Sequence, residues 1–237
     1  MHVLATTDST NDLAKQGARE GTAHGATWVA EEQTRGRGRQ GRAWLGVRGE
    51  SLLFSVLARV ACPPSRLPLI ALAAGLAVRD AVARAAPDAP VSMKWPNDVL
   101  VDGRKVAGVL VEAATTGSRV SAVVIGIGIN VHTRRFSEPI AAHATSVALW
   151  ATGPPHRGEI LADVLATLDA DLHIVVSRGL GLLRSRLEAA DGLRGKRVRS
   201  DSGDEGIASG IDDEGRLVVR ATDGALARWT SSEIHLA

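Results

Sequence analysis

Cysteine and two of the three aromatic residue types are nearly missing from this chain of 237 residues, which has one Cys, two Phe and no Tyr. The single cysteine, Cys62, excludes an internal disulfide and a cysteine-based zinc site. The seven histidines are scattered, without the paired spacing of metal ligands. The shortage of aromatic rings also counts against an RNA-binding surface, because such surfaces stack bases on rings.

The chain also lacks a large charge excess and a long apolar run. It has 28 Lys plus Arg and 26 Asp plus Glu, a net charge of +2. So small an excess argues against a protein whose whole surface is basic and binds nucleic acid. Its longest uncharged apolar stretch, residues 67–78, is too short to cross a bilayer. Residues 1–12 carry two Asp and no apolar run, so we expect no signal peptide. These features predict a soluble protein of the cytoplasm that does not bind membranes.

Periodicity of the apolar residues predicts a mixed α/β chain. Expected strands are 1–7, 26–31, 52–60, 91–94, 99–101, 106–112 and 120–131, and expected helices are 10–20, 65–86, 160–172 and 180–190. After residue 190 the chain turns to short β-like segments between glycines, at 196–199, 207–211 and 217–220, which are typical of a small barrel. We therefore expect two domains, 1–190 and 191–237.

Arginine and glycine dominate residues 35–42, which we call the Arg-Gly loop. It holds four Arg, three Gly and no acidic residue, a composition that suits close, bidentate contact with phosphate or carboxylate. Gly36, Gly38 and Gly41 fit a dinucleotide-binding fingerprint, but a strand follows instead of the required helix, so we reject that interpretation. An RNA-binding segment and an anion-binding lid of an enzyme are about equally supported by the loop alone.

Polar residues also accompany three predicted strands. Asn97 and Asp98 suit a nucleotide and a metal ion, although a simple turn is the commoner meaning of Asn-Asp after Pro. Lys105 opens an apolar strand, and local propensity favours an exposed hairpin lysine. Glu112 ends the same segment, where partial burial requires a partner for its carboxylate.

Glycines alternate at 126 and 128 on a nearly continuous apolar strand, leaving room either for a flat ligand or for a closely packed helix. Residues 8–11, Asp-Ser-Thr-Asn, are typical of a helix cap. When this segment is considered in isolation, we favour that interpretation. Since no nucleophile–base pair stands out, the pattern indicates catalysis by positioning and charge stabilisation.

Together these segments resemble the biotin–protein ligases. The matching segments are DSTN at 8–11, GRGRQGRAW at 36–44, KWPNDV at 94–99, KVAGVLVE at 105–112 and GIGIN at 126–130. The resemblance extends from residue 8 to the end, where GKRVRS and GIASGIDDEGRLVVR look like that family's C-terminal barrel. GRGRxGRxW together with KWPND is highly specific, whereas any one segment alone is not.

The resemblance implies a mixed sheet with flanking helices, akin to class II aminoacyl-tRNA synthetases, followed by an SH3-like barrel. It implies that biotin and MgATP give biotinyl-5′-adenylate, and that a lysine of a biotin carboxyl carrier protein domain then takes the biotinyl group. ATP and Mg²⁺ are therefore the expected cofactors, biotin the substrate and a biotin-dependent carboxylase the partner. Because no helix-turn-helix precedes DSTN, we expect a monofunctional ligase without specific DNA binding, as monomer or homodimer. A lipoate or octanoyl ligase is the nearest rival, and an RNA-binding protein is the alternative from another class.

The resemblance also implies roles for individual residues. Catalytic roles fall to Lys105, Arg37, Arg39 and Asp98, of which Asp98 is also the candidate Mg²⁺ ligand. Expected biotin contacts are Ser9, Thr10, Asn11, Gln33, Gly36, Arg37, Arg39, Trp44, Lys105, Gly108 and Gly126. Expected ATP contacts are Arg39, Arg42, Trp44, Asn97, Lys105 and Asn130.

Overall fold

The structure, a computed structural model, describes residues 1–116, 119–230 and 232–236. Within them a first sheet runs in the order β1-β2-β3-β7-β6-β5-β4, antiparallel except for the β1–β2 pair. Its strands are β1 (His2–Leu4), β2 (Thr27–Ala30), β3 (Ser51–Ala58), β4 (Val91–Lys94), β5 (Asp98–Val101), β6 (Arg104–Thr116) and β7 (Arg119–Asn130). The helices are α1 (Thr10–Arg19), α2 (Leu67–Ala85), α3 (Arg157–Arg178) and α4 (Arg184–Ala190).

A second, antiparallel sheet follows in the order β11-β10-β9-β8-β12. Its strands are β8 (Arg197–Ser200), β9 (Glu205–Ile211), β10 (Leu217–Arg220), β11 (Leu226–Trp229) and β12 (Ile234–Leu236). A mixed sheet with helices, followed by a small antiparallel β domain, is the predicted fold class, which is confirmed.

Helices cover the two faces of the first sheet differently. On one face α2 packs closely because its Ala- and Gly-rich surface has little bulk; a Cβ on Gly75 would lie 2.6 Å from Met93 Cε. The large buried side chains of this core include Phe54, Ile70, Leu76, Ile125 and Leu168. On the other face, α1 covers only the end of the sheet near Leu57 and Val124. On the remainder of that face, over β5, β6 and β7, loops rather than a helix lie against the sheet.

Boundaries differ from the predicted ones where local structure intervenes. The predicted helix 180–190 begins at Arg184, because Gly179 (φ 72°) ends α3 and a 3₁₀ turn, Gly181–Leu183, precedes α4. Helix α3 extends beyond the predicted 160–172, and β11 and β12 were not predicted. Among the described residues, no helix is both long and apolar enough for a membrane span.

The two sheets share one hydrophobic core. Val198, Ala208, Leu217 and Ile234 of the second sheet are buried in the same cluster as α2. The second sheet begins at Arg197, and the domain boundary near residue 190 stays a prediction.

Candidate active site

A cleft of about 700 Å³ opens on the sheet face that α1 leaves uncovered. Its floor is β5, β6 and β7, and its walls are the first turn of α1, the Arg-Gly loop, residues 140–144 and β12. Every predicted site residue except Gly36 lines it: Ser9, Thr10, Asn11, Gln33, Arg37, Arg39, Arg42, Trp44, Asn97, Asp98, Lys105, Gly108, Gly126 and Asn130. Gly36 is buried behind Trp44, where a Cβ would lie 2.8 Å from the Trp44 carbonyl oxygen.

One end of the cleft is lined by uncharged polar side chains, which are grouped around the first turn of α1. Thr10 Oγ1 donates to Gln33 Oε1 at 3.0 Å, and the Thr10 amide donates to the same oxygen at 2.7 Å. The fully buried Ser55 hydroxyl lies 2.7 Å from Thr10 Oγ1 and 2.5 Å from Asn11 Oδ1. Ser9 occupies the N-cap position, but its side chain makes no capping hydrogen bond. The helix-cap interpretation is therefore wrong for these side chains, since Thr10 and Asn11 serve the cleft instead.

Charged residues support this polar end from behind. Glu112 accepts hydrogen bonds from Asn11 Nδ2 at 2.7 Å and from Lys15 Nζ at 2.9 Å, which confirms that its carboxylate needs partners. Burial pushes the pKa of Glu112 upward, but these two hydrogen bonds and the positive charges of Lys15 and Arg37 together outweigh it, so the pKa lies below its usual value. Glu112 is therefore an anion at neutral pH.

The two glycines of β7 accommodate different groups of the protein itself, and the alternative of a flat ligand against this strand stays a prediction. A Cβ on Gly126 would lie 2.1 Å from Asn11 Oδ1, so here the glycine admits α1. A Cβ on Gly128 would lie 2.4 Å from Trp44 Cε2, and one on Gly108 would lie 3.0 Å from Trp44 Cζ3. These two glycines are direct cross-strand neighbours, and the flat group lying on them is the Trp44 indole.

Lys105 is not the exposed hairpin lysine that local propensity favours. Its Nζ lies 2.7 Å from Asp98 Oδ1 and 5.5 Å from the Trp44 ring centroid. Its amide donates to the His143 carbonyl at 2.7 Å, and its carbonyl accepts from the Thr145 amide at 2.9 Å. Residues 143–145 therefore hold the backbone of Lys105, and its ammonium lies beside Asp98 and the Trp44 ring.

The two asparagines are anchored by the backbone. Asn97 donates to the Val109 carbonyl at 2.7 Å, and Asn130 donates to the Thr145 carbonyl at 3.0 Å. Both asparagines line the cleft, and Arg39 Nη1 lies 3.4 Å from the side-chain oxygen of Asn97.

The electrostatics of the cleft suit an anion. Its described lining carries five cationic side chains, Arg37, Arg39, Arg42, Lys94 and Lys105, against two carboxylates, Asp98 and Glu233. Burial lowers the pKa of Arg39 from its usual value. Because the usual value for arginine is so high, Arg39 is still a cation at neutral pH. The described residues contain no cluster of three or more His, Cys, Asp or Glu able to hold a metal alone.

Several lining residues were missed by sequence reasoning. They are Lys94 and residues of two segments, 140–144 and 233–236. Ser55, which lies behind the lining residues Thr10 and Asn11, was missed as well. Glu233 forms an ion pair with Arg42 of the Arg-Gly loop, and β12 thereby reaches the cleft from the far end of the chain. No local signal marks these segments, because tertiary packing brings them to the site: 140–144 by its contact with Lys105, and 233–236 by the position of the second sheet.

Two family models match the chain. The Biotin/lipoate A/B protein ligase family model matches residues 3–130, and the Biotin protein ligase C terminal domain model matches residues 195–236. Biotin--[acetyl-CoA-carboxylase] ligase of Mycobacterium tuberculosis is 36% identical, over 100% of this chain and 89% of that protein. The enzyme of the same name from Paracoccus denitrificans is 35% identical, over 94% of this chain and 95% of that protein.

A solved structure agrees with these relatives. The biotin protein ligase from Aquifex aeolicus in complex with biotin and ATP superposes with a TM-score of 0.83 at 29% identity, covering 99% of this chain and 97% of that one.

Proposed function

The chain belongs to the biotin/lipoate A/B protein ligase family, and from this premise we propose how it acts as an ATP-dependent biotin protein ligase. The observation that supports this function best is the division of one cleft into two ends. Neutral hydrogen-bonding groups surround Thr10 and Gln33, whereas the cations Arg39 and Lys105 lie beside the neighbouring residues Asn97 and Asp98. A substrate with a neutral polar head and a carboxylate tail fits such a cleft in one orientation.

The neutral end suits the ureido ring of biotin. Gln33 Oε1 already accepts two hydrogen bonds from Thr10, so its amide NH₂ group is left to donate to the urea oxygen. Trp44, over Gly108 and Gly128, supplies an apolar cover for the ring and the chain. Biotin's carboxylate then lies towards Lys105.

Activation requires only positioning and charge stabilisation. A carboxylate oxygen of biotin attacks the α-phosphorus of ATP, the bond to the β-phosphate bridging oxygen breaks, and pyrophosphate leaves. Lys105 and Arg39 stabilise the negative charge that develops on the α-phosphoryl oxygens. Mg²⁺ enters with ATP as part of the substrate, and the residues present fit this, because Mg²⁺ needs only one or two carboxylates beside phosphate oxygens and Asp98 supplies one.

Transfer uses the same cleft. The ε-amine of a lysine on a biotin carboxyl carrier domain attacks the acyl carbon of biotinyl-5′-adenylate. AMP leaves, an amide forms, and the amine loses a proton to solvent. The recipient is a biotin-dependent carboxylase, and both curated relatives described above carry acetyl-CoA carboxylase in their names.

Isotope exchange tests the first half-reaction. The purified chain should exchange labelled pyrophosphate into ATP when biotin is added, and octanoate and lipoate should not replace biotin. Biotin-labelling of a purified carrier domain, detected by mass spectrometry, tests the second half-reaction. Exchange driven better by lipoate or octanoate would overturn the proposed substrate and favour the rival ligase.

A further inference from the structure

Arg37 of the Arg-Gly loop lines the cleft and forms two hydrogen bonds with one residue of helix α1, Asp12. Arg37 Nη1 donates to Asp12 Oδ2 at 3.0 Å, and Arg37 Nη2 donates to Asp12 Oδ1 at 2.6 Å. Two parallel hydrogen bonds fix the plane of the guanidinium as well as its position. The hydrogen bond from Arg37 is the chief cause that lowers the pKa of Asp12, which keeps the aspartate ionised.

A second pair of charges closes the arrangement. Lys15 Nζ lies 3.0 Å from Asp12 Oδ1 and 2.9 Å from Glu112 Oε1. Arg37 Nη2 lies 3.6 Å from Glu112 Oε2. Two acidic and two basic side chains therefore surround one another, with zero net charge. The same Glu112 carboxylate orients Asn11, whose oxygen faces the buried Ser55 hydroxyl.

Arg37 and Arg39, which belong to the same loop, differ in their ion pairs. Arg39 forms no ion pair with a carboxylate in the part of the chain that the structure describes, and its nearest polar contact is Asn97 Oδ1 at 3.4 Å. The charge of Arg39 is therefore available to a phosphate, whereas the charge of Arg37 is already compensated. An arginine compensated in this way offers directed N–H donors without strong attraction for an anion.

We propose that Asp12 is a positioning residue for biotin recognition. It holds the Arg37 guanidinium beside the neutral end of the cleft and cancels its charge, so that this end accepts a neutral urea and the triphosphate is directed towards Arg39. Lys15 and Glu112 hold Asp12 in place. This inference rests on the proposed function, because it assigns the neutral end to biotin.

The decisive variant is Asp12→Asn, which keeps the size of the side chain and removes its charge. Loss of a partly exposed bidentate pair should weaken biotin binding about five- to tenfold in calorimetry without nucleotide. In pyrophosphate exchange, the KM for biotin should rise by a similar factor, while the KM for ATP changes less than about twofold. Asp12→Glu should recover most of the loss, because it restores the carboxylate.

Asp8→Asn is the matched control. Asp8 precedes α1 and forms an ion pair with Arg35 of the same loop, but neither side chain lines the cleft. Its biotin binding should match the wild type. Equal biotin affinity in wild type and Asp12→Asn, equal losses for biotin and ATP, or an equal loss in Asp8→Asn would each overturn the inference.

The two proposals fail in different ways. Wild-type chain that binds biotin but supports no exchange contradicts the proposed ligase reaction, and the calorimetric comparison then still decides the role of Asp12. Wild-type chain that binds no biotin contradicts both.

Discussion

Lys105 shows how a single residue's role depends on contacts far along the chain. Its ammonium lies between Asp98 and the Trp44 ring, with a side chain that is 38% exposed. Such a residue contributes little to stability, because a partly exposed ion pair is worth about 1 kcal/mol or less. It contributes much to a reaction that develops charge beside it.

We expect Lys105→Ala to slow pyrophosphate exchange about a hundredfold to a thousandfold, a loss of about 3–4 kcal/mol of transition-state stabilisation. The melting temperature should change little. Lys105→Arg should restore only part of the activity, since a planar fork does not replace a compact ammonium. Lys196→Ala, at an exposed position just before β8, is the control. Wild-type exchange rates in Lys105→Ala would remove this residue from the mechanism.

Replacement by alanine should have different effects at Gly126 and Gly128 of β7, lowering stability at the first and biotin affinity at the second. A methyl at Gly126 collides with Asn11, which α1 holds in place, so Gly126→Ala should lower the free energy of unfolding by about 1–3 kcal/mol. A methyl at Gly128 meets Trp44, which lies on a loop and can move aside. Gly128→Ala should therefore spare stability but weaken biotin binding about tenfold or more, by displacing the cover. Urea unfolding and calorimetry on both variants test this contrast, and equal stability losses would contradict it.

At the scale of elements, the Arg-Gly loop is more ordered than its composition predicts. The Gly38 amide donates to the Arg42 carbonyl at 2.7 Å, and the Trp44 amide donates to the Gly36 carbonyl at 2.9 Å, which makes a short hairpin. Its tip is a 3₁₀ turn, Arg39–Gly41, in which Gln40 and Gly41 have positive φ. Ion pairs hold both of its ends, Arg35 with Asp8 and Arg37 with Asp12 at the first end and Arg42 with Glu233 at the second. Because no ion pair holds the tip itself among the described residues, we expect a ligand to restrict it further.

Limited trypsin digestion should detect this difference within the loop. Without ligand, cleavage after Arg39 should be faster than cleavage after Arg37, because only Arg37 has a bidentate carboxylate partner. Biotin with ATP should suppress cleavage at both sites, since the adenylate supplies an anion and burial. Cleavage that ignores ligand would mean that the loop is not a lid.

The connection between α4 and the second sheet predicts a pH dependence. Burial raises the pKa of Asp191 above its usual value. The folded state thus retains this proton at pH values where the unfolded chain has lost it, and stability falls as pH rises from the usual carboxyl value through the raised one. Asp191 also accepts a hydrogen bond from the Leu193 amide at 2.9 Å, which asparagine can replace.

Asp191→Asn should therefore raise the melting temperature at pH 7, and the gain should disappear below about pH 4, where both states are protonated. Thermal melts from pH 4 to pH 8 provide the measurement. Asp88→Asn, at an exposed position after α2, is the control. A gain that is the same at every pH would point to a cause other than charge.

At the scale of the whole molecule, the second sheet is part of the catalytic unit. Trp95, next to Asn97 and Asp98, donates its indole N–H to the Gly215 carbonyl at 2.9 Å in a buried contact. Glu233 reaches the Arg-Gly loop from β12. The second sheet therefore supports the cleft at two places, although the five matching segments between residues 8 and 130 all lie outside it.

Trp95→Phe should lower the free energy of unfolding by about 1–3 kcal/mol, because it leaves the buried Gly215 carbonyl without its donor. The KM for ATP should rise as well, since the turn carrying Asn97 and Asp98 loses its support. Urea unfolding and pyrophosphate exchange are the two measurements. Unchanged values in both would show that the contact does not couple the sheets.

The sequence by itself determined the order of elements, the fold class and most of the cleft. Apolar periodicity located β7 and α2 because burial on one or both faces leaves a local pattern, and the segments around Arg39, Asp98, Lys105 and Asn130 identified the family. Local reasoning was wrong about Thr10 and Lys105, since the helix cap and the exposed hairpin are what those residues favour without distant partners.

Only the tertiary structure decided which long-range partners meet. Asp12 with Arg37, Lys105 with Asp98, Asn11 over Gly126 and Glu233 with Arg42 join residues that local patterns cannot relate. Such contacts depend on how α1 docks on the sheet and how the second sheet shares its core. Those arrangements arise from the packing of whole elements, which leaves no periodic signal in the chain.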